Sequence, residues 1–175
     1  MTSHSVRFLY NIEYMFIYLI LIAGLTCLDQ LTKALIASNP SAYANLEVIP
    51  GFFYITYVKN AGAAWSMLSG QRVLLSLISA AAVIGMLYVL QGTVKKKQKL
   101  NSLALSLMIA GALGNLIDRL AFGSVRDFLN FFIFGYDFPV FNVADICLTI
   151  GVCLLILATI LEPDSAGKAE GSSHA

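Results

Sequence analysis

Charge is scarce in this sequence. Asp, Glu, Lys and Arg make up 12% of its 175 residues, about half of what a soluble domain carries, while apolar residues make up 58%. So little polar surface cannot coat a globule in water, which excludes an ordinary soluble enzyme or binding domain. The net charge of +1 provides no basic face able to neutralise a run of phosphates, so nucleic acid is excluded as a partner. Histidine is nearly missing: His4 and His174 stand near the two ends of the sequence. Cys27, Cys147 and Cys153 lie in apolar runs without CxxC spacing and read as small buried apolar residues, not as a disulfide framework or a zinc site. No metal and no cofactor is therefore expected. Hydrolysis by a Ser–His or Cys–His pair also lacks its histidine.

Long apolar runs are abundant. A membrane span needs about 20 such residues to cross a hydrocarbon core roughly 30 Å thick, and four segments meet or approach that length, at about 12–36, 73–90, 100–119 and 143–161. The expected fold class is an all-α membrane protein of four transmembrane helices. Residues 1–163 form one domain, and 164–175 form a polar cytoplasmic tail. The first span follows Arg7 as a secretory signal would, but Gly24-Leu25-Thr26 before Cys27 is not a small-residue cleavage pattern, so a retained span is expected. Lys95, Lys96, Lys97 and Lys99 crowd the link between spans two and three. Such clusters stay cytoplasmic, which puts both termini in the cytoplasm and residues 37–72 and 120–142 outside. In the first outer loop, Phe52 to Val58 is aromatic and β-branched between Pro50-Gly51 and Asn60-Ala61-Gly62, and reads as a strand or hairpin. Val125 to Phe134 is also strand-like. Ala63 to Leu68, around Trp65, is expected to form a short surface helix that serves as a lid.

Ionisable groups in or beside spans are costly, so each calls for a reason. Asp29 and Lys33 are four apart on one helical face and read either as a self-neutralising pair or as a polar anchor for a ligand. Asn115, Asp118 and Arg119 fall in the last turn of span three. Asp118 opposes the negative end of that helix dipole, and Arg119 is its expected neutraliser. In Val125-Arg126-Asp127-Phe128, an extended chain points Arg126 away from Asp127, leaving Asp127 poorly compensated, with a raised pKa. Asn142 and Asp145 fit a capping-box-like pattern opening span four. The loop carrying Asp127 must return to the mouth where Asp145 begins, so the two acids can meet at the bilayer surface. Two close carboxylates do not both ionise easily, and one then serves as base and the other as acid.

Five blocks carry a resemblance: Asp29-Gln30-Leu31-Thr32-Lys33, Asn60-Ala61-Gly62-Ala63-Ala64-Trp65, Gly111 through Arg119, Val125-Arg126-Asp127-Phe128, and Phe141-Asn142-Val143-Ala144-Asp145. In this order, on four spans, they resemble lipoprotein signal peptidase, the type II bacterial signal peptidase. Trp65 stands where that family more often has Phe. The resemblance implies a metal-free aspartyl endopeptidase of the bacterial inner membrane, with its active site on the outer face. It cuts prolipoproteins just before the diacylglyceryl-modified cysteine and is blocked by the cyclic peptide globomycin. It implies Asp127 and Asp145 as the catalytic pair, with Asp29, Lys33, Asn60, Gly62, Asn115, Arg119 and Asn142 lining the substrate site. Membrane lipid and prolipoproteins are the implied partners. Two other classes place acids in spans. A transporter or proton relay sets them near the bilayer midplane, and an assembly protein uses them only as caps and interface pairs.

Overall fold

The structure is a computed structural model that describes residues 3–62 and 70–161, with side chains from residue 12 onward. The surface helix expected at Ala63–Leu68, with Trp65, and the tail at 164–175 lie outside the described residues.

Four helices dominate: α1 (Ser3–Ala37), α2 (Arg72–Lys95), α3 (Lys99–Phe122) and α4 (Val143–Leu161). Each contains a stretch long and apolar enough to cross a membrane. Their outer surfaces carry side chains that water would not tolerate: Phe16 on α1, Leu77 and Ile84 on α2, and Ile160 on α4 are all more than half exposed. Apolar residues on all sides of a helix mean lipid on the side that protein does not cover.

α3 is the hub and packs against each of the other three helices. Its buried face holds small residues, Ala104, Ala110, Gly111 and Gly114 among them, so its neighbours approach closely. Ile22, Val83, Leu90, Leu105 and Ile109 form the apolar core on the α1–α2 side. The end of α3 that carries Asn115 and Asp118 is polar instead. Gly123 terminates the helix at φ 77°, its N–H donating to the Arg119 carbonyl at 3.2 Å. That left-handed conformation suits glycine because no Cβ opposes it.

The two loops at this end join in one antiparallel sheet of order β1-β2-β3-β4, comprising β1 (Leu46–Ile49), β2 (Phe53–Asn60), β3 (Val125–Ile133) and β4 (Tyr136–Asp137). A 3-10 turn at Pro40–Ala44 leads from α1 into β1. The hairpin expected around Phe52–Val58 is β1–β2, and the strand expected near Val125–Phe134 is β3. Their pairing joins loops far apart in sequence. Phe53 faces Phe131, Ile55 faces Leu129, a bulge follows, and then Val58 faces Asp127 and Asn60 faces Val125. Phe53 and Phe131 stack at 4.6 Å, and Phe131 and Phe141 at 5.7 Å. Phe141 also exchanges backbone hydrogen bonds with Leu129, at 2.8 and 3.1 Å. That bridge ties the chain back to β3 immediately before α4 begins, and so sets Asn142 beside Asp127.

Candidate active site

Asp127 lies on β3 and Asp145 in the first turn of α4, and one side chain joins them. The Asn142 amide donates to Asp127 Oδ1 at 2.6 Å, while the Asn142 backbone N–H donates to Asp145 Oδ2 at 3.2 Å. The Asn142 side-chain Oδ1 accepts the Asp145 N–H at 3.0 Å. Asn142 and Asp145 thus form the reciprocal cap read from the sequence. The same Asn142, fully buried, points its Nδ2 at Asp127 on β3 and at Asn115 Oδ1 on α3, the latter at 3.3 Å. Asp127 accepts a second amide, from Asn60 Nδ2 at 3.0 Å, and Asp145 accepts Asn115 Nδ2 at 2.8 Å.

Asp127 is 2% exposed. Burial first, and then the negative charge of Asp145, push its carboxyl up to about 7, against the Asn60 and Asn142 amides, which pull it down. A carboxyl so placed holds or releases a proton near neutrality, as acid–base catalysis requires.

Behind this pair lies a buried ionic layer. Lys33 Nζ contacts Asp29 Oδ2 at 2.8 Å and donates to Asn115 Oδ1 at 3.0 Å, with Asp118 Oδ2 at 3.7 Å. Asp29 and Lys33 form the pair that their spacing predicts. Both are buried, at 1% and 0% exposed. Asp29 also crosses to α4, accepting the Ala144 N–H at 2.9 Å, and so caps a helix other than its own. This contact requires Gly114, because a Cβ there would overlap the Asp29 carboxylate.

The expected Asp118–Arg119 pair is not formed. Asp118 is held by Arg126, whose Nη2 meets Oδ1 at 2.7 Å and whose Nε and backbone N–H meet Oδ2 at 3.1 and 2.8 Å. Adjacent residues on a helix project about 100° apart, so Arg119 cannot turn back on Asp118, whereas β3 delivers Arg126 directly. Arg119 instead reaches the first loop, donating to the Gly62 carbonyl at 3.3 Å, and its charge acts on both Asp145 and Asp127. Gly62 is fixed in turn by its N–H on Asn60 Oδ1 at 3.0 Å. One residue went unassigned in the sequence. Gln30 donates to Asp118 Oδ1 at 3.1 Å and to the Gly114 carbonyl at 3.0 Å, and accepts Arg126 Nη2 at 2.9 Å. Its position beside Asp29 on a span, polar among apolar neighbours, was the available signal.

Asn60, Asn115, Arg119, Asp127, Asn142 and Asp145 therefore converge, with Gly62 at the rim and Asp29 and Lys33 behind. Among the described residues no cluster of His, Cys, Asp and Glu could hold a metal ion.

A family model described as signal peptidase (SPase) II matches residues 21–161. The chain belongs to the signal peptidase II family. The lipoprotein signal peptidase of Symbiobacterium thermophilum is 47% identical over 133 residues, 76% of this chain and 87% of that one. That of Bacillus subtilis is 41% identical over 155 residues, covering 89% and 97%. A solved bacterial membrane enzyme superposes with a TM-score of 0.75 at 39% identity, covering 90% of this chain and 94% of its own. A second reaches 0.72 at 41% identity, covering 84% and 94%. As a signal peptidase II, the chain is a multi-pass membrane peptidase, and the resemblance carried by the five sequence blocks holds over most of its length.

Proposed function

We propose that this signal peptidase II removes the signal peptide from diacylglyceryl-modified prolipoproteins, cutting just before the modified cysteine, with Asp127 and Asp145 as its catalytic pair. The observation that carries the assignment is the double grip of Asn142, which holds two carboxylates from separate elements at one point while one of them titrates near neutrality.

Chemistry follows from that arrangement. Asp127, protonated below about pH 7, donates its proton to the scissile carbonyl oxygen. Asp145, which accepts two N–H donors, takes a proton from the attacking water. The tetrahedral adduct collapses as the leaving amine gains a proton, and the pair exchanges roles. Asn60, Asn115 and Asn142 keep the two carboxylates in register, and Arg119 and Gly62 border the substrate path. Asp29 and Lys33, buried behind the pair, serve the substrate site indirectly by holding Asn115 and the start of α4. The stacked rings of Phe53, Phe131 and Phe141 support the extended chain near the cut.

A signal helix in the bilayer and a lipid anchor at the cut both suit a site beside helix ends. The lysine cluster between α2 and α3 favours cytoplasmic termini in the bacterial inner membrane, with the sheet and the acid pair on the outer face. Globomycin, a cyclic peptide, is expected to occupy the same cleft. A transporter reading is disfavoured because the acids lie at one mouth of the bundle and not midway along it.

The test is cleavage of a lipidated prolipoprotein by Asp127→Asn and Asp145→Asn, each compared at equal membrane abundance. Both should lose turnover by several orders of magnitude. Retained turnover in either, with the protein folded, removes that residue from the pair.

A further inference from the structure

At the end of the bundle away from the sheet, residues 96–98 join α2 to α3, and Lys95, Lys96, Lys97 and Lys99 are all exposed. Between Val73 and Ile117 the sequence contains no Asp or Glu, so the turns of α2 and α3 nearest these cations carry no acid. Among the described residues no carboxylate pairs with Lys95, Lys96 or Lys99. Beside them a groove of about 410 Å³ opens along the last turns of α2, lined by Tyr88, Gln91, Gly92, Lys95, Lys96 and Gln98. Tyr88, Gln91, Gly92 and Lys95 recur at helical spacing on one stripe. Tyr88 is 78% exposed. A Cβ at Gly92 would meet nothing within 4 Å, so the missing side chain is part of the opening.

The stripe is graded. Lys95 stands about 10 Å farther along the axis than Tyr88, close to the distance between a lipid phosphate and the upper acyl chain. Tyrosine favours that interfacial depth. A zwitterionic lipid brings its own cation toward the paired ammonium groups and is disfavoured, whereas an anionic one is not.

We propose that this groove binds one anionic glycerophospholipid, its phosphate on Lys95 and Lys96, its hydroxylated head group on Gln91 and Gln98, and its acyl chain along Tyr88 and the neighbouring Val89. The site lies at the opposite end of the bundle from the acid pair, and its occupancy is read without any cleavage reaction.

The full-length protein in phosphatidylcholine nanodiscs is titrated with phosphatidylglycerol, and retained lipid is counted by native mass spectrometry. One phosphatidylglycerol should be held in preference to phosphatidylcholine. Each basic residue near an anionic surface contributes roughly a fivefold preference, so Lys95→Gln with Lys96→Gln should lower retention roughly 25-fold, and the Arg pair should preserve it. Gly92→Leu should also lower it, with charge unchanged, because it fills the groove. Equal retention in the Gln pair overturns the site. Retention that survives Gly92→Leu overturns the groove and leaves only diffuse attraction. Displacement of phosphatidylglycerol by millimolar inorganic phosphate identifies a free-anion site and overturns the lipid assignment.

Discussion

Replacing Asp127 by Asn should abolish cleavage and, at alkaline pH, make the protein harder to unfold. The Asp127 carboxyl rises from an ordinary 3.8 to about 7 in the folded protein, where it is 2% exposed. A carboxyl with a raised folded value binds its proton more tightly when folded, so stability falls as pH rises from about 4 to about 7 and stays reduced above. The interval is about three pH units at about 1.36 kcal/mol each, or about 4 kcal/mol in full. Between pH 5 and pH 8 roughly 2 to 3 kcal/mol of it should appear. Asn carries no such charge, and the other acids titrate in both proteins and cancel to first order. The stability of Asp127→Asn relative to wild type should therefore increase by that amount from pH 5 to pH 8. Unfolding by sodium dodecyl sulfate in mixed micelles, followed by circular dichroism at the two pH values, measures the difference. The same difference at both pH values would mean that Asp127 is charged at no cost, and the acid role given to it would fall with that result.

The wild-type kcat/KM should decline as pH rises through about 7, where Asp127 loses the proton it must donate; a flat profile from pH 6 to 9 would argue against it. Lys33→Met strands Asp29 in a dry interior and should cost about 3–5 kcal/mol. Adding Asp29→Asn should recover part of that loss, as a double-mutant cycle in the same micelles would reveal. Gly114→Ala forces a methyl against the Asp29 carboxylate and should cost about 1–3 kcal/mol, visible as a lower midpoint of unfolding. Asp118→Asn leaves Arg126 without its counter-ion and should reduce folded yield far more than turnover per folded molecule, measured by active-site titration against cleavage rate.

The four helices were legible because hydrocarbon imposes length and composition at once. The meeting of Asp127 and Asp145 around Asn142 was legible because few polar residues exist to choose among, and because the loop after α3 must return to α4. Pairing between β2 and β3 was less so: each strand carries its own pattern, but nothing local states that loops some 70 residues apart share a sheet, as Val58 and Asp127 do. The partner of Asp118 was misread for a related reason. Sequence proximity favoured Arg119, while the true partner, Arg126, reaches it only after the chain has reversed at Gly123. Asn142 was read as a cap, and its second grip on Asp127 became visible only with β3 in place.

Side chains on a strand alternate in direction, so displacing β3 by one residue against β2 would turn every side chain of β3 to the opposite face. Slipped in one direction, such a protein would keep its helices yet bring the Arg126 guanidinium to Asn142 in place of the Asp127 carboxyl, and set Val125 before Asp118. The forked contact between Asp118 and Arg126 penalises that error, since a chain slipped that way would leave Asp118 buried without its guanidinium. A salt bridge outside the proposed acid pair thereby decides which sign of charge stands beside Asn142.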